Sequence, residues 1–327
     1  MTTLSSAVAA DIFAEHRSFL WGLCYRLTGS AADADDQVQE TFVRALERPP
    51  ARLDEPWRPW LVRVAINLGR DFLRRRKRRA YVGPWLPSPI ETGEEESPPS
   101  YEPVEGQGST EGHYDLLESV SFTFLLALEA LSPQQRAVLL LRDVFDYSVR
   151  ETAEVLGISQ ANVKISHHRA RRAVGDYDRA RCVPTRTLQE RTRQALERFL
   201  TCLINQDVAA IEALLTADVQ AVSDGGGEFL AALRPVVGRD KVVRFYIKTN
   251  ERRAPSARLD VRLLNGLPAL VIEFTDKAPR EAARMVMRCD LDPDGRIKVL
   301  HSVLASHKLT GVRFVVGGSH DHPACSS

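Results

Sequence analysis

Residues 160–172 carry polar and basic side chains at a spacing suited to binding DNA. The side chains that could contact a base edge or a phosphate are Gln160, Asn162, Lys164, His168, Arg169, Arg171 and Arg172. Amides in the first turn of a helix can reach base edges in the major groove, and the cations that follow suit phosphates. An ordinary helical hairpin with a solvated basic face is the alternative interpretation.

Two capping boxes predict the helices that would position these side chains. Ser132 with Gln135 begins one helix, and Ser148 with Glu151 begins the next. Gly157 follows the second helix and supplies the turn residue before the DNA-facing segment. The pattern over 132–172 therefore predicts a helix-turn-helix.

A second basic segment lies near the amino terminus. Between Arg70 and Arg79 there are seven basic residues and one acidic residue. Aromatic residues lie around it: Trp57, Trp60, Phe72, Tyr81 and Trp85. Cations that follow a backbone and rings that receive unstacked bases are typical of single-stranded DNA binding, although the helical spacing of Trp60 and Phe72 favours a core position. Consecutive cations over 74–79 repel one another unless a polyanion compensates, which favours phosphate contact.

The segment 31–46 predicts an amphipathic helix with an acidic face. Its apolar positions are Val38, Phe42, Val43 and Leu46, and its polar positions are Asp33, Asp35, Asp36, Gln39 and Glu40. A solvated surface and a docking surface for a basic partner both fit this pattern.

Composition and length indicate several domains. The chain has 327 residues, 44% of them hydrophobic, so two or three domains are expected. Residues 91–118 hold nine acidic residues and no Lys or Arg, and 84–112 predicts a linker. The five cysteines lack metal-type spacing, which predicts a reducing compartment. With neither a secretory leader nor a membrane-length apolar run, a cytoplasmic protein is expected.

The hydrophobic pattern predicts three helices over 11–79 and more helices over 114–181. The carboxy-terminal part predicts helices at 188–205 and 208–215, then strands at 219–222, 269–274, 283–290 and 297–304. Helices followed by a set of antiparallel strands indicate a separate α+β domain.

The segments 25–46 and 60–79 resemble regions 2.1 to 2.4 of an extracytoplasmic-function (ECF) RNA polymerase sigma factor, and 131–174 resembles its region 4. The motifs at 81–89, 224–228, 265–270 and 307–309 resemble a subgroup with a fused SnoaL-like domain. The resemblance implies a multi-domain fold: two all-α sigma domains, a region 2 helical bundle and a region 4 helix-turn-helix, plus a C-terminal α+β SnoaL-like cone. The implied boundaries are 8–80 (region 2), 81–116 (linker), 117–182 (region 4), 186–318 (SnoaL-like regulatory domain) and 319–327 (disordered tail).

The resemblance also implies sites. Contacts to the clamp of core RNA polymerase would fall on Asp35, Asp36, Gln37, Gln39, Glu40 and Phe42. Contacts to the −10 element would fall on Trp57, Arg63, Asn67, Arg70, Arg74, Arg75, Arg76 and Lys77. Contacts to the −35 element would fall on Ser159, Gln160, Asn162, Lys164, His168, Arg169 and Arg171. Interdomain regulatory contacts would fall on Trp85, Leu86, Pro87, Asp224, Gly225, Gly226, Gly227, Lys308 and Leu309.

The implied protein is a monomeric, non-enzymatic sigma factor. Its partners would be core RNA polymerase, through clamp and flap regions, and promoter DNA, with no cofactor, metal or membrane. A small-molecule ligand of the SnoaL-like domain stays open. So do two further alternatives: Asn67 as a buried packing amide, and Trp85 with Leu86 as an apolar contact to the sigma core instead of a docking site.

Three motif positions depart from the subgroup. Ser88 and Glu228 stand where a Glu and a Lys are usual, and Ser306 precedes the surviving His307, Lys308 and Leu309. In the recognition helix, Ser166 and His167 stand where relatives often have an Arg and an aliphatic residue. The promoter sequence that relatives recognise therefore does not carry over to this chain.

Two other functions compete. A one-component helix-turn-helix regulator would share the DNA-binding segment. A SnoaL-type isomerase or cyclase would need an acid or base in its cavity, for which Asp224, Asp290 and His301 are the candidates.

Overall fold

The computed structural model describes residues 6–50, 56–78, 81–92, 114–253, 257–276 and 278–314. Three predicted features lie outside these ranges: the last cation of the basic run at Arg79, the middle of the acidic linker, and the tail at 319–327. Within the described residues, no helix combines the length and the apolar character needed to cross a membrane.

Three helices form the amino-terminal unit, as the hydrophobic pattern predicted. They are α1 (Ser6–Thr28), α2 (Ala31–Glu47) and α3 (Trp57–Arg78). The Ser30 hydroxyl accepts a hydrogen bond from the Asp33 N–H and so caps α2. The apolar faces of the three helices pack together around Leu23, Val38 and Ile66.

The second unit contains the predicted helix-turn-helix. Its elements are a 3-10 turn (Glu118–Val120), α4 (Phe122–Ala127), another 3-10 turn (Leu128–Ala130), α5 (Pro133–Asp143), α6 (Val149–Leu156), α7 (Gln160–Ala173) and α8 (Gly175–Arg179). Both capping boxes are present, at Ser132 with Gln135 and at Ser148 with Glu151. Gly157 takes the left-handed backbone conformation, with φ at 63°, that the predicted turn requires. The helix-turn-helix prediction is confirmed.

The carboxy-terminal unit is an α+β domain, as predicted. Its elements are α9 (Arg186–Ile204), α10 (Val208–Leu214), β1 (Leu215–Asp224), β2 (Val236–Val237), α11 (Arg239–Arg253), β3 (Ala257–Leu264), β4 (Leu267–Phe274), β5 (Arg284–Leu291), β6 (Ile297–Val303) and a 3-10 turn (Ser306–Lys308). The strands form one sheet in the order β2-β1-β6-β5-β4-β3.

Two details of the predicted sheet were wrong. The strands were expected to be antiparallel, but β1 and β6 pair in parallel, with Val222 opposite His301. Because α11 and four strands lie between β1 and β6 in the chain, the connection is long enough for a parallel return. The pattern also missed β2, β3 and α11. β3 is an edge strand with Arg258, Asp260 and Arg262 at alternate positions, so its residues do not form an apolar run.

The three units contact one another directly. α3 packs against α5 and α6, and the apolar residues of the two helical units form one continuous core. A smaller apolar cluster joins Leu86 of the linker and Phe122 of α4 to Val303 of β6. We call the packing of α3 against α5 and α6 the closed arrangement.

Candidate functional site

The acidic face of α2 is open to solvent in the closed arrangement. Asp36, Gln39 and Glu40 are exposed. Asp35 is half-buried, and its Oδ1 accepts a hydrogen bond of 2.9 Å from Trp21 Nε1. Partial burial raises the pKa of Asp35. The exposed acidic face, defined by Asp36, Gln39 and Glu40, can therefore meet a basic partner without rearrangement of α2.

Two predicted polymerase contacts lie inside the protein instead. Gln37 and Phe42 are 7% and 8% exposed, and the Phe42 ring packs edge-on against Phe13 at 4.6 Å. Conversely, Val43 and Leu46 were predicted to face the core and are 46% and 54% exposed. The apolar stripe of α2 is thus narrower than the sequence pattern suggested.

Most of the predicted −10 residues lie on the exposed side of α3. The exposed members are Arg63, Asn67, Arg74, Arg75 and Lys77. Exposure of Asn67 excludes a buried packing amide for that residue. Trp57 is half-buried and lies edge-on to Trp60, with ring centroids 6.3 Å apart. Burial, reinforced by the charge of Arg74, lowers the pKa of Arg70.

Arg76 is held by contacts within the protein. Its Nη1 donates to the Thr28 carbonyl oxygen at 3.0 Å, and its guanidinium lies 4.3 Å from the Trp85 ring centroid. It also pairs with Glu129, which accepts a 2.6 Å hydrogen bond from Arg136. Burial acts to raise the pKa of Glu129, but the two guanidinium charges outweigh it and lower that pKa. In the closed arrangement Arg76 therefore joins the two helical units and does not offer itself to a phosphate.

The recognition helix α7 presents the predicted −35 side chains to solvent. Those exposed are Ser159, Gln160, Asn162, Lys164, His168 and Arg169. The Ser159 hydroxyl accepts from the Asn162 N–H at 3.2 Å, which caps the helix and places both amides in its first turn. Val163 is fully buried and anchors α7 to the core. The exposed set can reach a major groove as one surface.

Arg171 is the exception in that set. Its Nη1 donates to the Tyr114 hydroxyl at 3.0 Å, and its guanidinium lies 3.7 Å from Asp143 and 3.5 Å from Asp178. The side chain is half-buried. In this structure Arg171 therefore packs within the helical unit and is less accessible to DNA than the other members of the predicted set.

The predicted interdomain residues meet at one buried carboxylate. Asp224, at the end of β1, is 0% exposed. It accepts hydrogen bonds from the Tyr81 hydroxyl at 2.6 Å and the Leu86 N–H at 2.7 Å, and Lys308 Nζ lies 2.5 Å away. Lys308 Nζ also donates to the Leu86 carbonyl oxygen at 2.5 Å. Burial, partly offset by Asp224, lowers the pKa of Lys308 to about 8. We call Tyr81, Trp85, Leu86, Asp224 and Lys308 the interdomain cluster.

The glycines after Asp224 allow a close approach of the linker. Gly226 has φ at 60°, and a Cβ there would lie 2.9 Å from the Ala305 side chain. A Cβ on Gly227 would lie 3.2 Å from Val82, and one on Gly225 would lie 2.7 Å from the Phe229 carbonyl oxygen. A side chain at Gly226 or Gly227 would therefore disturb the contact between the linker and the C-terminal domain, whereas one at Gly225 would clash within the C-terminal domain itself.

The linker segment, residues 81–92, contacts the sigma core and the C-terminal domain at once. Leu86 and Pro87 are buried, as is Leu309. Trp85 packs against Gly29 at the end of α1, and Lys308 Nζ lies 4.3 Å from its ring centroid. Trp85 and Leu86 were expected either to dock the C-terminal domain or to pack against the sigma core. The linker segment makes both contacts at once.

The motif departures at Ser88 and Glu228 are accommodated locally. Glu228 accepts from the Ser306 N–H at 3.0 Å and from its hydroxyl at 2.7 Å, so it supports the turn that carries Lys308. Ser88 is fully buried, and its carbonyl oxygen accepts a 2.6 Å hydrogen bond from the Tyr25 hydroxyl. A small side chain suits this dry position better than a carboxylate would.

Asn265 joins all three units and was missed as a functional residue. Its Nδ2 donates to the Tyr25 hydroxyl at 2.7 Å and to the Val120 carbonyl oxygen at 2.8 Å, while its Oδ1 accepts from the Ile90 N–H at 3.2 Å. The sequence indicated Asn265 only as the first residue of the family motif at 265–270, because Tyr25 lies 240 positions away in the chain.

The C-terminal domain encloses a cavity of about 640 Å³. Asp224, Asp290 and His301, the candidate acids and bases, do not line it. His301 instead lies against Phe122, with ring centroids 5.2 Å apart, and burial lowers its pKa to about 4. Among the described residues that line the cavity, Glu281 is the sole carboxylate.

Known proteins match both the parts and the whole of this chain. The family described as "Sigma-70 region 2" matches residues 12–79, and "Sigma-70, region 4" matches residues 121–174. "ECF RNA polymerase sigma factor SigJ" of Mycobacterium tuberculosis is 32% identical over 315 residues, covering 90% of this chain and 91% of that protein. "Probable ECF RNA polymerase sigma factor SigI" of the same organism is 25% identical over 307 residues, 93% and 95% of the two chains. The crystal structure of M. tuberculosis SigJ covers 92% of this chain and 98% of its own, with 29% identity and a TM-score of 0.68.

The two matched regions, in this order, define a sigma factor, a protein that directs the initiation of transcription. Since a relative at this identity spans nine-tenths of both chains, the protein belongs to the extracytoplasmic-function RNA polymerase sigma factors. The family resemblance stated from the sequence is confirmed. So is the fold class of helical sigma domains followed by an α+β domain.

Proposed function

We propose that the exposed acidic face of α2 binds core RNA polymerase, that α3 contacts the −10 element and that α7 contacts the −35 element. The observation that carries this assignment is the separation of three polar surfaces on one chain. Asp36 and Glu40 form an acidic surface on α2, while Asn67 on α3 and Gln160 on α7 belong to two others, and all four are exposed. A cytoplasmic location follows from these partners.

A protein that binds core polymerase through the acidic face must lose that binding when its charge is reversed. D36K/E40K should abolish co-purification with core polymerase and run-off transcription from a cognate promoter. Like charges placed against a positive partner surface cost several kcal/mol. E197K/D218K makes the same charge change at two exposed positions of the C-terminal domain and should retain both activities. Full polymerase binding by D36K/E40K would reassign α2.

The competing functions are less well supported. A one-component regulator would share α7 but does not account for the region 2 match over residues 12–79. An isomerase or cyclase would place an acid or base inside the cavity, and Glu281 is already paired there with Arg252 at 2.8 Å. We therefore propose that the C-terminal domain acts without catalysis.

We also propose that the C-terminal domain modulates sigma activity through the linker segment. The interdomain cluster fixes the linker by Asp224 and Lys308, and the same linker places Trp85 beside Arg76 of α3. A change in how the domain holds the linker therefore changes the surroundings of a cation that the −10 element would use.

A further inference from the structure

The cavity of the C-terminal domain has the size and lining of a small-molecule site. It lies between the sheet and helices α9 and α11, and its volume of about 640 Å³ falls within the usual range for ligand pockets. Apolar side chains such as Phe199, Leu270 and Met287 form most of its wall. At its margin Ile204 and Leu230 are 56% and 53% exposed. An apolar ligand would cover this exposed rim.

One end of the cavity is polar and carries excess positive charge. Arg252, Arg253 and Glu281 are the charged residues of the lining. Arg252 lies 2.8 Å from Glu281, and Arg253 lies 3.9 Å from the same carboxylate. The charged side chains that line the cavity within the described ranges therefore sum to one net positive charge. Arg252 is also 63% exposed, so its guanidinium can turn toward an incoming anion.

We propose that this cavity binds an amphipathic organic anion, whose apolar body fills the interior and whose single anionic group meets Arg252 and Arg253. The hydroxyls of Tyr246 and Ser302 lie along the wall and can accept or donate hydrogen bonds to a polar group on that body. Binding of the anion does not depend on the proposed sigma function. The effect of that binding on transcription rests on the proposed sigma function.

Ligand binding is coupled to the linker through a shared wall. Leu230, Ala231 and Ala232 line the cavity and also line a groove that contains Val82 and Gly83 of the linker segment. A ligand that packs against Leu230, Ala231 and Ala232 favours the position of these residues in which they also contact the linker segment. Since a ligand shifts an equilibrium toward the state that it binds better, the anion stabilises the docked linker.

The test uses the full chain and two dyes that differ by one charge. They are 8-anilinonaphthalene-1-sulfonate (ANS) and its uncharged analogue N-phenyl-1-naphthylamine (NPN). ANS should bind at one saturable site about tenfold more tightly than NPN, as expected for one charge-assisted contact. R252Q should bring ANS affinity down to that of NPN and leave NPN binding unchanged. R258Q, at an exposed β3 position outside the cavity lining, should change neither.

A cavity-filling substitution locates the site. Ala257 lines the cavity from β3, and A257W should abolish binding of both dyes while the circular dichroism spectrum stays that of the parent chain. Unchanged ANS binding by a folded A257W would place the site elsewhere and overturn the proposal. Equal ANS and NPN affinities for the parent chain would overturn its anionic part, and that comparison needs no variant.

Hydrogen exchange tests the coupling to the linker. The Leu86 N–H donates to Asp224 and the Ser88 N–H donates to the Gly29 carbonyl oxygen, so both amides report the docked linker. Saturating ANS should slow exchange in the peptide that spans residues 81–92. Exchange that is unaffected by bound ANS would refute the coupling. Sigma function is tested separately by the polymerase co-purification above.

Discussion

The Lys308 ammonium is a buried charge whose cost depends on pH. It is 1% exposed and is compensated by Asp224 at 2.5 Å. Burial lowers its pKa from 10.5 to about 8 in the folded chain. Between these two values the unfolded chain binds more protons than the folded chain, so the free energy of unfolding increases with pH in that window.

K308M should remove this pH dependence, because the methionine carries no proton. The difference in the free energy of unfolding between the parent chain and K308M should shift in favour of the parent by about 2 kcal/mol from pH 7.5 to pH 10. Urea denaturation at both pH values measures it. A difference that stays constant with pH would mean that Lys308 titrates as in water.

Substitution by Gln should weaken DNA binding at Arg169 of α7 and lower stability at Arg171. Arg169 is exposed, whereas Arg171 is held by Tyr114, Asp143 and Asp178. R169Q should weaken promoter binding and reduce the slope of log affinity against log salt by up to about 1, with stability unchanged. R171Q should instead lower the free energy of unfolding by about 1–3 kcal/mol, since the buried Asp143 and the partly buried Asp178 lose a partner.

Salt titrations of DNA binding and urea denaturation, performed on both variants, distinguish these outcomes. A reduced salt slope for R171Q with normal stability would return Arg171 to the DNA-contacting set.

At the scale of elements, the turn between β3 and β4 is a structural joint between the three units. N265D keeps a residue type that tolerates the left-handed turn, but it loses the donor that serves Tyr25 and Val120. N265G keeps the turn and removes the whole side chain. N265D should cost about 2–4 kcal/mol in the free energy of unfolding, more than N265G, because it also places a carboxylate against the Val120 carbonyl. Losses near zero for both variants in urea denaturation would show that the side-chain bonds contribute little, and equal losses would show that the carboxylate adds no cost of its own.

Local signals predicted most elements but not their contacts. Capping boxes and Gly157 determine helix ends within a few residues, so α5 to α7 could be predicted from the sequence. The partners of Arg26 could not, because its guanidinium donates to Ser119 and Leu116 of another unit. The pattern placed Val43 and Leu46 in the core for the same reason. The spacing of apolar residues along one helix does not show how much of that helix its neighbours cover.

The interdomain residues also divide into those that a sequence motif indicated and those whose contacts only the folded structure shows. Family motifs indicated Asp224 and Lys308, whereas the position of Arg76 between Thr28, Glu129 and Trp85 depends on packing that no local pattern encodes. Its place in a run of cations predicted phosphate contact, and only the packed units show that one member of the run faces inward.

At the scale of the whole molecule, the closed arrangement is too compact for the proposed contacts of α3 and α7 with both promoter elements. The −10 and −35 elements are about 25 base pairs apart, which is about 85 Å along the duplex at 3.4 Å per base pair. A folded chain of this length has a radius of gyration of about 20 Å, and α3 lies directly against the helix-turn-helix. Under the proposed assignment the helical units must therefore separate before α3 and α7 bind DNA together, and the ion pair of Arg76 with Glu129 is broken when they do.

A crosslink that holds the two helical units together should therefore block transcription but not polymerase binding. Pro59 of α3 and Glu154 of α6 are exposed and line one groove between the units. In a background with Cys182, Cys202 and Cys325 changed to serine, P59C/E154C joined by a reductively cleavable bis-maleimide should still co-purify with core polymerase, because the acidic face of α2 stays exposed. Run-off transcription should be absent and should return after the linker is cleaved with dithiothreitol. Single-cysteine chains treated with the same reagent provide the control, and full transcription by the crosslinked chain would show that the closed arrangement is already active.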